Sequence, residues 1–153
     1  PADDLEVRLV GHTANAEGLS SLPRGIVRVV EQRPYREALR HLHDAAALLL
    51  VIPTAGGEGN HTGKLFPYLA SGRPVLCLAP EPNVAADLIR QTRSGEVASP
   101  DDPARVADAL IKLYEDWKAG RSLPNQDRDT IADYEARPQT RAYARLLDQL
   151  LAE

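Results

Sequence analysis

Between two apolar runs lies a segment whose residues could hold an anion. It reads Gly56-Gly57-Glu58-Gly59-Asn60-His61-Thr62-Gly63-Lys64-Leu65. Gly56, Gly57, Gly59 and Gly63 allow the backbone to approach a ligand closely. The N–H groups of about Thr62 to Leu65 open a predicted helix, where unpaired donors and a partial positive charge suit phosphate. Lys64 adds a full positive charge. A lysine at a helix start opposes the helix dipole, which favours a ligand-related reason for it. Beside a leaving phosphate, such a cation stabilises the negative charge that develops as a bond breaks.

The flanking elements must present this segment. The run 45–52 predicts a buried strand, with Pro53 ending it. A helix is expected over 62–70, stopped by Gly72, and Pro74 leads into a second apolar run, 75–79. Strand, glycine-rich loop, helix and strand make one β-α-β unit. The loop then falls at the carboxyl end of its strand, where open α/β sheets bind ligands.

The rest of the chain continues the alternation. Residues 5–10 alternate and end at Gly11, and 25–30 form a second strand. A loop is expected over 12–23, with a short helix around 16–22. A helix spans 34–46, followed by the strand 47–52, whose unbroken apolar character predicts burial on both sides. Another helix covers 81–91, and 96–98 is a short edge strand. Asp102 caps a helix opening with Pro103, along which Val106, Leu110, Leu113, Tyr114 and Trp117 form a stripe. Residues 121–129 are a polar connection. A last helix over 139–151 carries Tyr143, Leu146, Leu147, Leu150 and Leu151 on one face. The expected fold is α/β: a Rossmann-like, doubly wound parallel sheet of about five strands with helices on both faces.

Composition narrows the function classes. The 153 residues suffice for one domain with its own core. A hydrophobic share of 43% and a charged share of 26% are ordinary for a globular protein. The net charge of −4 gives no reason to expect a nucleic-acid partner. No apolar run approaches the roughly 20 residues of a membrane span, and no signal peptide opens the chain. The single cysteine, Cys77, excludes an internal disulfide, fits a reducing cytoplasm and reads as a core residue. The chain opens on Pro1 and contains no methionine, so it reads as a fragment of something longer. His41 and His43, two apart on a helix, cannot share a face as metal ligands. His12 and His61 fall on the ligand side and are candidate phosphate or sugar contacts.

The stretch Lys64-Leu65-Phe66-Pro67-Tyr68-Leu69-Ala70-Ser71-Gly72-Arg73-Pro74-Val75-Leu76 resembles the helix and strand that GT-B glycosyltransferases of group 1, family 4-like, place against a nucleotide-sugar donor. Residues 5–11, 40–53 and 94–102 and the final helix are similar to further segments of that family. The resemblance implies two Rossmann-like domains facing each other across a cleft. This chain resembles the C-terminal, donor-binding one, lacking its first strand and helix.

The resemblance also implies a reaction, transfer of a sugar from a nucleotide diphosphate, with no metal and no cofactor beyond that donor. By the same resemblance, Glu58 and Lys64 are the catalytic candidates. Gly57, Gly59, Asn60, His61, Thr62, Gly63, Lys64, Leu65 and His12 are candidates for donor binding, and Arg33 for the nucleobase. The family's second glutamate, which holds the ribose, is replaced here by Pro67, which offers no acceptor and can disturb its helix. The missing N-terminal domain would supply the acceptor side, so the fragment alone should be inactive. Strand exchange between copies could close the gap left by the absent strand. The alternatives are a non-catalytic interaction module that has lost donor binding, and a nucleotide-sugar epimerase.

Overall fold

The computed structural model describes residues 4–11, 25–54, 62–123 and 125–151. It is an α/β fold with two parallel sheets flanked by helices, consistent with a Rossmann-like doubly wound topology. The chain divides into two compact units, residues 1–44 and 45–153.

The first unit holds β1 (Val7–Val10), β2 (Val27–Val30) and α1 (Tyr35–Asp44). The two strands pair in parallel, Val7 opposite Val27 and Val10 opposite Val30. Arg8 donates to Glu6 at 2.5 Å, and that bond is the main reason the Glu6 carboxyl lies below its ordinary value. The expected short helix around 16–22 lies outside the described residues.

The second unit carries the core. Its strands are β3 (Leu48–Val51), β4 (Val75–Leu78) and β5 (Gly95–Ala98), in the order β3-β4-β5, all parallel. Between them run α2 (Leu65–Ser71) and α3 (Val84–Gln91), followed by α4 (Pro103–Lys118), α5 (Arg128–Ala132) and α6 (Ala136–Leu151). Central β4 is buried on both faces. Leu76 packs with Ala109 and Leu113 of α4, while Val75 and Cys77 point to the opposite face and are fully buried. The β3-α2-β4 and β4-α3-β5 units are the expected β-α-β arrangement. β5 is an edge strand, as its length and polarity predict.

Local chemistry explains the boundaries. Asn83 accepts the N–H groups of Ala85 and Ala86, so α3 starts at Val84 rather than 81. Asp102 accepts the N–H of Arg105 at 3.1 Å, and Pro103 is the first residue of α4, as the sequence predicts. The C-terminal turn of α2 closes on Gly72, left-handed at φ 69°, a conformation glycine takes without strain. α6 begins three residues earlier than expected, with Pro138 in its first turn, where a missing N–H costs no helical bond.

The described strands pair as β1-β2 in the first unit and β3-β4-β5 in the second. Two expectations need correction. Within the second unit β3 is not buried on both faces. Leu48 and Leu50 are buried, but Leu49 is 42% and Val51 55% exposed. The polar connection 121–129 also ends sooner than expected, because α5 begins at Arg128, capped by Asp127. The apolar stripe of α6 is wholly exposed, with no buried residue on that helix.

Cys77 is a core residue, as its setting predicts. It is 0% exposed, and burial pushes its thiol from 9.0 up to about 11. The native thiol should resist iodoacetamide at pH 8 and react fully once guanidinium unfolds the chain; native labelling at the rate of a free thiol would contradict this. The unfolded thiol loses its proton first as pH rises. Its contribution to stability is therefore complete below about pH 9 and lost as pH climbs through about 11.

Candidate functional site

β3 and β4 run in register from Leu48 opposite Val75 to Val51 opposite Leu78. Ile52 donates to the Leu78 carbonyl at 2.8 Å, extending the ladder one step past β3. The chain thus leaves β3 at the carboxyl end of the three-stranded sheet. Gly57, Glu58, Gly59, Asn60 and His61, next along the chain, lie outside the described residues, and so does His12. The description resumes at Thr62.

Thr62, Gly63 and Lys64 form a turn and not the first turn of the helix. The N–H of Leu65 donates to the Thr62 carbonyl at 2.9 Å, and Lys64 occupies the cap position at φ −80°, ψ −25° with no side chain capping it. α2 therefore begins three residues later than expected. The same shift resolves the place of Pro67. It is the third residue of the helix, inside the first turn, where an N–H would have no helical acceptor. Pro67 does not disturb α2, but it removes a donor from the helix opening.

The opening is accordingly narrower in donors than the sequence suggests. Leu65 is committed to Thr62, and Pro67 has no N–H. The N–H groups of Gly63 and Lys64 have no backbone acceptor among the described residues. The Thr62 hydroxyl is buried and has no hydrogen-bond partner among them. Lys64 and Gly63 are exposed, while Leu65 is fully buried and anchors the start of α2 in the core. A Cβ built on Gly63 meets nothing within 4 Å among the described residues, so their packing does not demand glycine there. Arg33 is exposed and lies in the first unit, between β2 and α1.

Burial raises the Tyr68 phenol above its ordinary value. Among the described residues no cluster of His, Cys, Asp or Glu could hold a metal ion. No helix among them is long and apolar enough to cross a membrane.

Sequence reasoning missed what meets α2 from further along the chain. Tyr134 stacks on Phe66 of α2 at 5.8 Å between ring centroids. Gln126 donates to the Leu69 carbonyl at 3.4 Å. A signal was present: Asp127 and Thr130 are spaced to cap a helix, and Asp127 accepts both the N–H and the hydroxyl of Thr130.

Comparison with known proteins gives one family. The family described as "Glycosyl transferases group 1" matches residues 1–116. A search among curated proteins finds no match. The matched span takes in β1 to β5, the Lys64 turn, α2 and most of α4. With well over half of its length matched in this way, the chain belongs to the glycosyl transferases of group 1, and its domain is of the GT-B type.

Proposed function

We propose that this chain is the donor-binding, C-terminal half of a glycosyltransferase that moves a sugar from a nucleotide diphosphate to an acceptor held by a further, N-terminal domain. One observation carries the proposal. Lys64 is exposed at the start of α2, after the carboxyl end of β3, inside the span that matches the family. The diphosphate contacts Lys64 and the N–H groups of Gly63 and Lys64. The lysine carries more of the grip than a full helix opening would require, because Leu65 and Pro67 offer no free donor. Glu58, Gly57, Gly59, Asn60, His61, Thr62, Leu65 and His12 complete the donor contacts, with Arg33 at the nucleobase and Glu58 acting with Lys64 in the chemistry.

Within the second unit, the edge of β3 away from β4 supports a partner for this sheet. Leu48 and Ile52 donate toward β4, so the alternation of the strand turns the N–H and C=O of Leu49 and Val51 the other way. Their apolar side chains are exposed as well. A further strand, from the same polypeptide or from a second copy, would pair those backbone groups, while the exposed face needs an element packed on it.

Titration calorimetry with UDP, GDP and ADP tests the donor site. One of the three should bind saturably, and Lys64→Ala should weaken it about tenfold, the loss of a charge-assisted contact at an exposed site. Pro67 favours a second reading, a relative that has lost donor binding and serves in assembly. Silence from all three nucleotides would overturn the first reading in its favour.

A further inference from the structure

α2 is a poor helix by itself. It has seven residues, includes a proline and lacks a side-chain cap. Isolated helices shorter than about 12 residues do not persist in water, so tertiary contacts must hold it. Leu65 and Leu69 anchor its inner face in the core. It also meets Gln126, Arg128 and Tyr134, which lie beyond the 116 residues that match the family.

These residues grip α2 at both ends. Tyr134 stacks on Phe66 in the first turn. Gln126 reaches the Leu69 carbonyl in the last turn, the same carbonyl that accepts the Gly72 N–H at 3.3 Å. Arg128 lies over Gly72, with Nη2 3.4 Å from where a Cβ would stand. The segment is itself tied to the turn between α3 and β5. Asp127 donates its N–H to the Thr92 carbonyl at 2.9 Å, Arg93 donates to the Asn125 carbonyl at 2.6 Å, and Gln126 donates to the Ser94 hydroxyl at 3.2 Å. Thr92 and Ser94 are fully buried and bonded to each other at 2.7 Å. A strap fixed to the core at one side therefore holds a short helix at both of its ends.

We propose that Gln126, Arg128 and Tyr134 are positioning residues: they set the placement of α2 and, through the Tyr68 N–H bonded to the Lys64 carbonyl at 3.1 Å, of Lys64. Their effect on ligand binding rests on the donor reading above, while their effect on α2 does not.

Amide hydrogen exchange and calorimetry on the full chain separate the two. Tyr134→Leu and Gln126→Ala should each speed exchange of the Tyr68 amide about tenfold and leave the Ala79 amide, bonded to Ala98 across β4 and β5, at its parent rate. Tyr134→Phe keeps the stacked ring and should restore the parent exchange. Where UDP, GDP or ADP binds the parent chain, Tyr134→Leu should weaken it about tenfold and Tyr134→Phe less than twofold. Unchanged Tyr68 exchange in both disruptive variants overturns the proposal. So does equal acceleration at Tyr68 and Ala79, which marks general loosening. Failure of all three nucleotides to bind the parent sinks the donor reading only, and the exchange result still decides whether the strap positions α2.

Discussion

Gly95→Ala should prevent the second unit from folding normally, at a cost of about 4 kcal/mol or more. A Cβ at Gly95 would stand 1.9 Å from the Val75 carbonyl oxygen, 2.5 Å from its nitrogen and 2.7 Å from its carbonyl carbon. All three atoms are backbone, so no rotamer change relieves the overlap. Val75 is the residue paired with Gly95 at the first step of the β4–β5 ladder, and its N–H donates to the Ser94 carbonyl. Relief requires β5 to move off β4, which breaks the ladder where it begins and separates the buried Thr92–Ser94 pair from the strand it introduces. Gly63→Ala is the control, since its new methyl meets nothing within 4 Å among the described residues. Chemical denaturation followed by circular dichroism should show the Gly95 variant largely unfolded without denaturant and the Gly63 variant within about 1 kcal/mol of the parent. A Gly95→Ala midpoint equal to the parent's would mean that the two strands do not approach as described.

The contrast between these glycines shows what a sequence can and cannot disclose. Both stand beside polar residues at an element boundary, and either could be read as a simple turn residue. Only the distance across the ladder, between residues 20 positions apart, separates an obligatory glycine from an optional one. Features set by near neighbours are legible: Asp102 before Pro103, Gly72 after α2, the apolar runs that form β3 and β4. Lys64 is legible as well, because a cation before a short apolar helix that follows a glycine-rich stretch is a local pattern. Features set by distant partners are not. The run Leu48–Val51 is as apolar as a central strand, yet the two side chains on one of its faces are exposed, because burial depends on what packs against each face of the sheet. Threonine, glycine and lysine all tolerate helix, so the sequence alone starts α2 at 62. The Thr62 carbonyl turning back to Leu65 decides otherwise. α5 is hidden because five residues are too few to show a period. Of the candidate donor residues, Lys64, Thr62, Gly63, Leu65 and Arg33 fall within the described structure, and the calorimetry above tests the role of Lys64.

Asn83→Ala should cost about 2 to 3 kcal/mol, more than a helix cap usually carries. The difference comes from burial. At an exposed cap, water replaces the lost acceptor. Asn83 is 1% exposed, and Ala85 and Ala86, whose N–H groups it accepts at 2.9 and 3.2 Å, are 0% exposed. Removing the side-chain oxygen leaves two donors facing an apolar core with no water to turn to, so the desolvation cost of both is felt in full. The backbone carbonyl of Asn83 still accepts from Asp87, so α3 persists but with a strained first turn. Asn83→Ser keeps one acceptor of similar reach and should recover roughly half of the loss. Asn83→Asp keeps the acceptor and gains from the helix dipole, but buries a charge, so its stability should fall between those of serine and alanine at neutral pH. The order parent, serine, aspartate, alanine, measured as denaturation midpoints at constant slope, is the expected result. An alanine variant within about 0.5 kcal/mol of the parent would show that water reaches this turn after all, and that the inner face of α3 is less tightly closed than its side chains indicate.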